Sequence, residues 1–260
     1  MGLFDKKYCD ICGSKIGLLG NRKLEDGNLC KDCAKKLSPW FSERRHSTKA
    51  DIQAQLAYRE ANKEAVAAFR TTRSLGKNTK LLLDEDNRKF MVTSASNLAD
   101  ANPDVLDYAD VTGCDLEINE NRTEKKRTDK DGKSVSYNPP RYEYSYNFNV
   151  TIRVNNPYFD DMRFSLNSGA VNTGETPMGT NGSWTVNRQN SLRSNMGVTE
   201  YNDYVKMGNE IKRVVDGMRT EVRREVRAAA APKAAGNTPY EKCGGTGEIR
   251  TQQSTPLGVF

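Results

Sequence analysis

The sequence predicts an α+β protein: a small cysteine-rich finger, a linking helix, and an antiparallel β-domain closed by a long C-terminal helix. Three observations predict it. Four cysteines fall in two pairs, Cys9-x-x-Cys12 and Cys30-x-x-Cys33, seventeen residues apart. From Tyr142 to Val154, apolar side chains alternate strictly with polar ones, the period of a strand with one buried face. From Tyr204 to Val226, apolar residues recur at steps of three and four, the period of an amphipathic helix.

The finger comes first in the chain. Two cysteines separated by two residues can turn both sulfurs onto one ion. Two such pairs complete the tetrahedral shell that Zn²⁺ prefers. About forty residues are too few to bury a self-sufficient core, so the segment needs a staple. Cys9, Cys12, Cys30 and Cys33 are therefore the expected ligands of one structural zinc. Disulfides and a thioredoxin-like redox pair are the competing readings. The start lacks the apolar core of a secretory signal, and the surroundings are not a βαβ unit. Gly13 follows the first pair, where a tight knuckle needs an unhindered backbone. Between the pairs, Ile16 to Leu19 and Glu25 to Leu29 suggest a hairpin. After the second pair, 34–37 reads as a short helix stopped by Ser38-Pro39. Knuckle, hairpin, knuckle and helix make a treble-clef or zinc-ribbon shape. Four thiolates around Zn²⁺ carry a formal charge of −2, which nearby lysines such as Lys7, Lys15, Lys31 and Lys35 can offset. A basic finger therefore need not bind nucleic acid, and a shell closed by four sulfurs leaves no position for catalysis.

Down the chain, Thr48-Lys49-Ala50-Asp51 has the form of a helix start. The helix should run to about Arg70 and break at Leu75-Gly76. His46, the only histidine, lies outside the ligand spacing and reads as a surface residue. Residues 80–83 and 89–92 read as a hairpin, Asn102-Pro103-Asp104 as a loop or short helix, and 111–118 as a strand. Residues 122–137 read as a hairpin arm projecting into water, with its turn at Asp131-Gly132. In the strand from Tyr142, an aromatic row can stack bases or build a core; its continuation in β-branched residues favours core. Met162, Phe164 and Leu166 mark the next strand. Residues 167–197, rich in Asn, Gly, Ser and Thr, read as a solvated loop anchored by Trp184 and dispensable for the core. A helix is expected from Thr199. The closing segment is Ala-Pro-Gly rich and is expected to be disordered; Cys114 and Cys243 are poor candidates for a second metal site. The expected domains are 1–40 (finger), 41–78 (linker and helix), 79–228 (β-domain with its closing helix) and 229–260 (tail).

Several of these stretches together resemble an uncharacterised bacterial family that joins an N-terminal four-cysteine finger to a β-rich domain. They include Cys9-Asp-Ile-Cys12-Gly, Leu29-Cys30-Lys-Asp-Cys33, Arg45-His46-Ser47-Thr48, Asp110-Val-Thr-Gly-Cys114 and Pro140-Arg-Tyr-Glu-Tyr-Ser-Tyr146. The resemblance implies a zinc finger followed by a pleckstrin-homology-like sheet or barrel with a closing helix. It implies no activity.

Composition narrows the function only coarsely. The 260 residues carry 40 basic and 34 acidic side chains, a net charge of +6 with no dense basic block. No apolar run is long enough to span a membrane, and reduced cysteines without a signal imply the cytoplasm. No nucleophile–base pair or phosphate loop stands out. The expectation is a non-catalytic adaptor recognising a protein partner. The first alternative is a nucleic-acid or anionic-lipid binder, favoured by Lys125, Lys126 and Arg127. A hydrolase is a distant third.

Overall fold

The computed structural model describes residues 6–178, 180 and 192–230. The finger opens with two small antiparallel ladders. β1 (Lys7–Tyr8) pairs with β2 (Lys15–Ile16), and β3 (Arg22–Lys23) pairs with β4 (Asn28–Leu29). One turn of helix follows, α1 (Lys31–Ala34), capped by the Cys30 side chain. It begins three residues earlier than the expected 34–37, because Cys30 itself supplies the cap. Gly27 lets the chain pass close to Asp10: a Cβ there would lie 2.7 Å from the Asp10 carboxylate, which accepts a bond from the Asn28 N–H.

The 20-residue helix α2 (Lys49–Ala68) starts with the full capping box that its sequence announces. The finger adds a further acceptor there, since Asp26 takes the Lys49 N–H at 2.8 Å. Ile52 is fully buried, and it joins Leu24, Leu29, Leu37, Cys9, Cys30 and Cys33 in one apolar cluster, with Leu56 packed against it. The finger therefore completes its core with the first turns of α2.

α2 ends at Ala68, two residues before the expected end near Arg70. No glycine or proline stops it. Asp84 accepts the Arg70 N–H, and the Thr72 N–H bonds to the Leu83 carbonyl, drawing the chain into a sheet. That sheet runs β5 (Arg73–Leu75), β6 (Lys80–Asp84), β7 (Lys89–Thr93), β8 (Leu106–Asp107), antiparallel and in that order. The short helix α3 (Leu98–Ala101) sits between β7 and β8.

A second sheet is built on one very long hairpin. β9 (Val111–Thr128) and β10 (Ser134–Asn156) pair from Val111↔Val154 out to Thr128↔Ser134. The other side of β10 takes β11 (Phe159–Ser165) and β12 (Val171–Gly174). The expected strands 111–118 and 142–154 and the arm 122–137 are thus parts of one hairpin. The strands of the β-domain form two open sheets and not the closed barrel offered as an option, because among the described residues no backbone ladder joins one sheet to the other.

β12 corrects the reading of 167–197 as a dispensable loop. Val171, Thr173 and Met178 are buried, and buried Asn167 accepts the Phe148 N–H at 2.8 Å. Trp184 lies outside the described residues. A 39-residue helix, α4 (Leu192–Ala230), covers the sheet and starts seven residues before the expected Thr199. Its Tyr201 ring meets Tyr146 and Phe148 edge-on at 4.9 and 5.2 Å, and Tyr204 stacks on Phe148 at 5.4 Å. Tyr146 and Phe148 are fully buried, so this part of the aromatic row is core and offers no face to a base, whereas Tyr142 and Tyr144 are only partly buried. The apolar stripe stops short of Val226, which is exposed.

Two glycines of α4 differ in what they face. A Cβ on Gly197 would lie 1.9 Å from the Asn172 carbonyl oxygen, whereas one on Gly217 meets nothing within 4 Å. Gly217→Ala should therefore stabilise the protein by about 0.5–1 kcal/mol through helix propensity. Gly197→Ala should destabilise it by forcing helix and strand apart. Phe148→Ala should cost about 3–5 kcal/mol. Urea titrations of the three variants check these signs.

Candidate metal centre

The four cysteines meet because two knuckles face each other. At the first, the Cys9 N–H bonds to the Ser14 carbonyl and the Gly13 N–H to the Cys9 carbonyl, with Gly13 at φ +71°. Only an unhindered residue adopts that angle without cost. At the second, Cys30 begins α1, so Cys33 lies on the helix one turn later.

All four sulfurs lie within 4.8 Å of one another, and no disulfide joins them. The Sγ atoms of Cys12 and Cys30 stand 3.7 Å apart. A disulfide would hold them at about 2 Å. A tetrahedral shell with bonds of about 2.3 Å places neighbouring sulfurs about 3.8 Å apart. The donor set and its spacing thus suit a tetrahedral, thiolate-preferring ion. The backbone adds to this: the Cys30 N–H points at Cys9 Sγ and the Cys33 N–H at Cys30 Sγ, both at 3.3 Å. Such donors favour the charged sulfur.

Protonation is uneven across the cluster. Hydrogen bonding from the Ser14 side chain and backbone brings the exposed Cys12 thiol down to about 6. Burial and the surrounding sulfurs push the Cys33 thiol up. Four sulfurs this close cannot all ionise without a cation between them.

The remaining candidates fall elsewhere. His46 ends a 3₁₀ turn spanning Glu43–His46 and is exposed. Cys114 is buried under α4, where burial raises its thiol to about 12, the mark of an inert packing residue. Cys243 lies outside the described residues. Lys125 points to the sheet's outer face and pairs with Glu143 and Glu175.

A polar cluster that sequence reasoning missed ties this centre to the β-domain. Asp104, with no exposed surface, accepts from Arg59 Nη1 at 2.7 Å and from Ser38 Oγ at 2.8 Å. Asn62 donates to the Asn102 side chain and the Pro103 carbonyl, and accepts the Val105 N–H. Burial and the Asp104 charge raise the neighbouring Tyr58 hydroxyl to about 12. Nothing in the spacing of Ser38, Arg59 and Asp104 announces the contact, since only folding brings them together. Removing the carboxylate with Asp104→Ala leaves the Arg59 charge buried and should cost about 3–5 kcal/mol. Calorimetry of that variant checks the loss.

Among the described residues, no helix is long and apolar enough to cross a membrane. Neither the curated proteins nor the solved structures include a match to this chain. A model described as a domain of unknown function, DUF4428, matches residues 7–55, which span the four cysteines and end just beyond Ile52, where α2 seals the finger's core.

Proposed function

We propose that this chain is a non-catalytic zinc-binding adaptor whose finger recognises a protein partner in the cytoplasm. The observation that carries the reading is a pair of bare apolar side chains on the finger: Leu18 is 87% exposed and Leu19 82%. They sit between β2 and β3 on a turn closed by the Gly20 N–H on the Gly17 carbonyl. Single exposed leucines are ordinary. Two adjacent ones on a metal-stapled tip, with half-exposed Tyr8 on the same finger, fit a partner that brings its own apolar surface.

Zinc, one per chain, is the ion we assign to Cys9, Cys12, Cys30 and Cys33. A shell of four thiolates has no open position, so its role is to hold the fold. The order of elements in the finger supports a treble-clef assignment. Two antiparallel sheets with a closing helix support a pleckstrin-homology-like β-domain.

A second reading, nucleic-acid or anionic-lipid binding, rests on the arm. Lys126, Arg127, Lys130 and Lys133 cluster near its tip and take part in none of the ion pairs among the described residues. Binding through them should weaken steeply with salt.

Elemental analysis should find about one zinc per chain, as a single four-sulfur site requires. Four free thiols in a folded, metal-free finger would refute the assignment. Chelation should unfold the finger and loosen the start of α2 while leaving both sheets, because metal binding and folding are coupled locally. Leu18→Ser with Leu19→Ser should keep zinc content and thermal stability. It should also abolish retention of the partner that the parent protein retains from its native extract. Unchanged retention would remove the finger from recognition.

A further inference from the structure

Strand edges are hazards, and proteins keep them short or covered. Among the described residues, β5 and β8 follow that rule with three and two residues. The 18 residues of β9 do not: the strand pairs with β10 on one side and with no strand on the other.

The edge can be read residue by residue. Antiparallel pairs alternate between those that exchange backbone bonds and those that turn them outward. The Phe148 carbonyl accepts from Leu166, away from β9, so its partner Ile118 also turns its N–H and C=O outward. The Cys114 carbonyl agrees, because it accepts from Lys212 on α4 at 2.7 Å. Even-numbered residues of β9 therefore face the free edge. Lys212 guards the inner end. Beyond Ile118, the outward groups of Glu120, Arg122, Glu124 and Lys126 meet no strand among the described residues, and residues 119–123 are all exposed.

The charges along this edge are sorted. Asp115, Glu117 and Glu120 lie toward the core end, and Arg122, Lys125, Lys126 and Arg127 toward the tip, with Glu124 as the one exception. A like-charged edge repels a second copy. An edge that is acidic at one end and basic at the other attracts a second copy running antiparallel.

We propose that two copies of this chain pair edge to edge through β9, about a two-fold axis normal to the sheet at Asn121. That axis keeps both core faces on one side, so residues of equal parity meet, as the pleat requires. Glu120 of one copy then faces Arg122 of the other, Glu117 faces Lys125, and Asp115 faces Arg127. No like charges are opposed. Moving the axis to Glu120 or to Arg122 sets Glu120 against Glu120 or Arg122 against Arg122, and moving it to Thr123 leaves two kinds of opposite-charge pair, Glu120 with Lys126 and Arg122 with Glu124, in place of three, so the Asn121 register is the one the charges favour most. In this register the outward residues Glu120 and Arg122 also face each other and exchange backbone bonds. The outer-face pairs already present, Glu117–Arg163 at 2.7 Å and Lys125–Glu175 at 3.1 Å, become rows that cross the dimer axis.

The test is sedimentation equilibrium of the full chain across concentration and salt, with Glu117→Lys and Lys125→Glu. Both side chains are on the surface, and unchanged melting confirms folding. The parent should form a dimer that weakens with salt. Each variant alone opposes like charges and should dissociate at least about tenfold more readily, since repulsion between opposed charges disfavours the pairing. An equimolar mixture of the two variants restores opposite charges at each of these positions and should recover the dimer. A parent monomeric throughout, a dimer indifferent to both variants, or a mixture that fails to recover overturns the proposal. Hydrogen exchange on the parent tests it without mutation. The Glu120, Arg122, Glu124 and Lys126 amides should gain protection as concentration rises. Exchange independent of concentration, or protection that appears only on adding an unrelated peptide or nucleic acid, also overturns it.

Discussion

One buried carboxylate holds the molecule's parts in register. Asp104 has no exposed surface, and a buried carboxylate needs partners, which Arg59 and Ser38 supply. Those donors come from the end of the finger and the middle of α2, and Asp104 itself comes from the turn entering β8. An apolar contact would permit some sliding among these elements. A buried ion pair with directional hydrogen bonds does not, because each displaced donor leaves an unpaired charge in a low dielectric. The Lys36 and Asn102 carbonyls accept from the other two guanidinium nitrogens, so the finger, helix and sheet share one polar knot.

That knot gives the metal centre a reach beyond its own residues. Zinc would organise some forty residues too few to bury a core. The finger closes its core with Ile52, seven residues before Arg59 on the same helix. Ile52 thus joins the finger's core to α2 by packing, and Asp104 joins α2 to the loop entering β8.

The β9–β10 hairpin is the second spine, and its two halves meet different surroundings. Its inner half is sealed by α4 so closely that a Cβ on Gly208 would lie 2.6 Å from Leu116. Its outer half carries charge in place of apolar side chains, and there the strand keeps its shape from backbone pairing and from contacts such as Arg122 over the Tyr142 ring at 3.5 Å. Packing explains the first half. The second is mostly surface, with Tyr144 packed against the edge of the core.

Local signals were legible in the sequence. Paired cysteines at metal spacing, the capping box at Thr48 and Asp51, the alternation from Tyr142 to Val154 and the stripe on α4 each act within a few residues, so spacing alone determines them. The tertiary structure decided the rest. α2 ends at Ala68 because Asp84 and Leu83 capture the following backbone. Val171–Gly174 becomes a strand because the edge of β10 stands open to it, and Gly197 lets α4 pass over it. Ser38, Arg59 and Asp104 lie 66 positions apart at their extremes. Their value as a buried pair exists only once the chain has excluded water around them, and no local pattern encodes that exclusion.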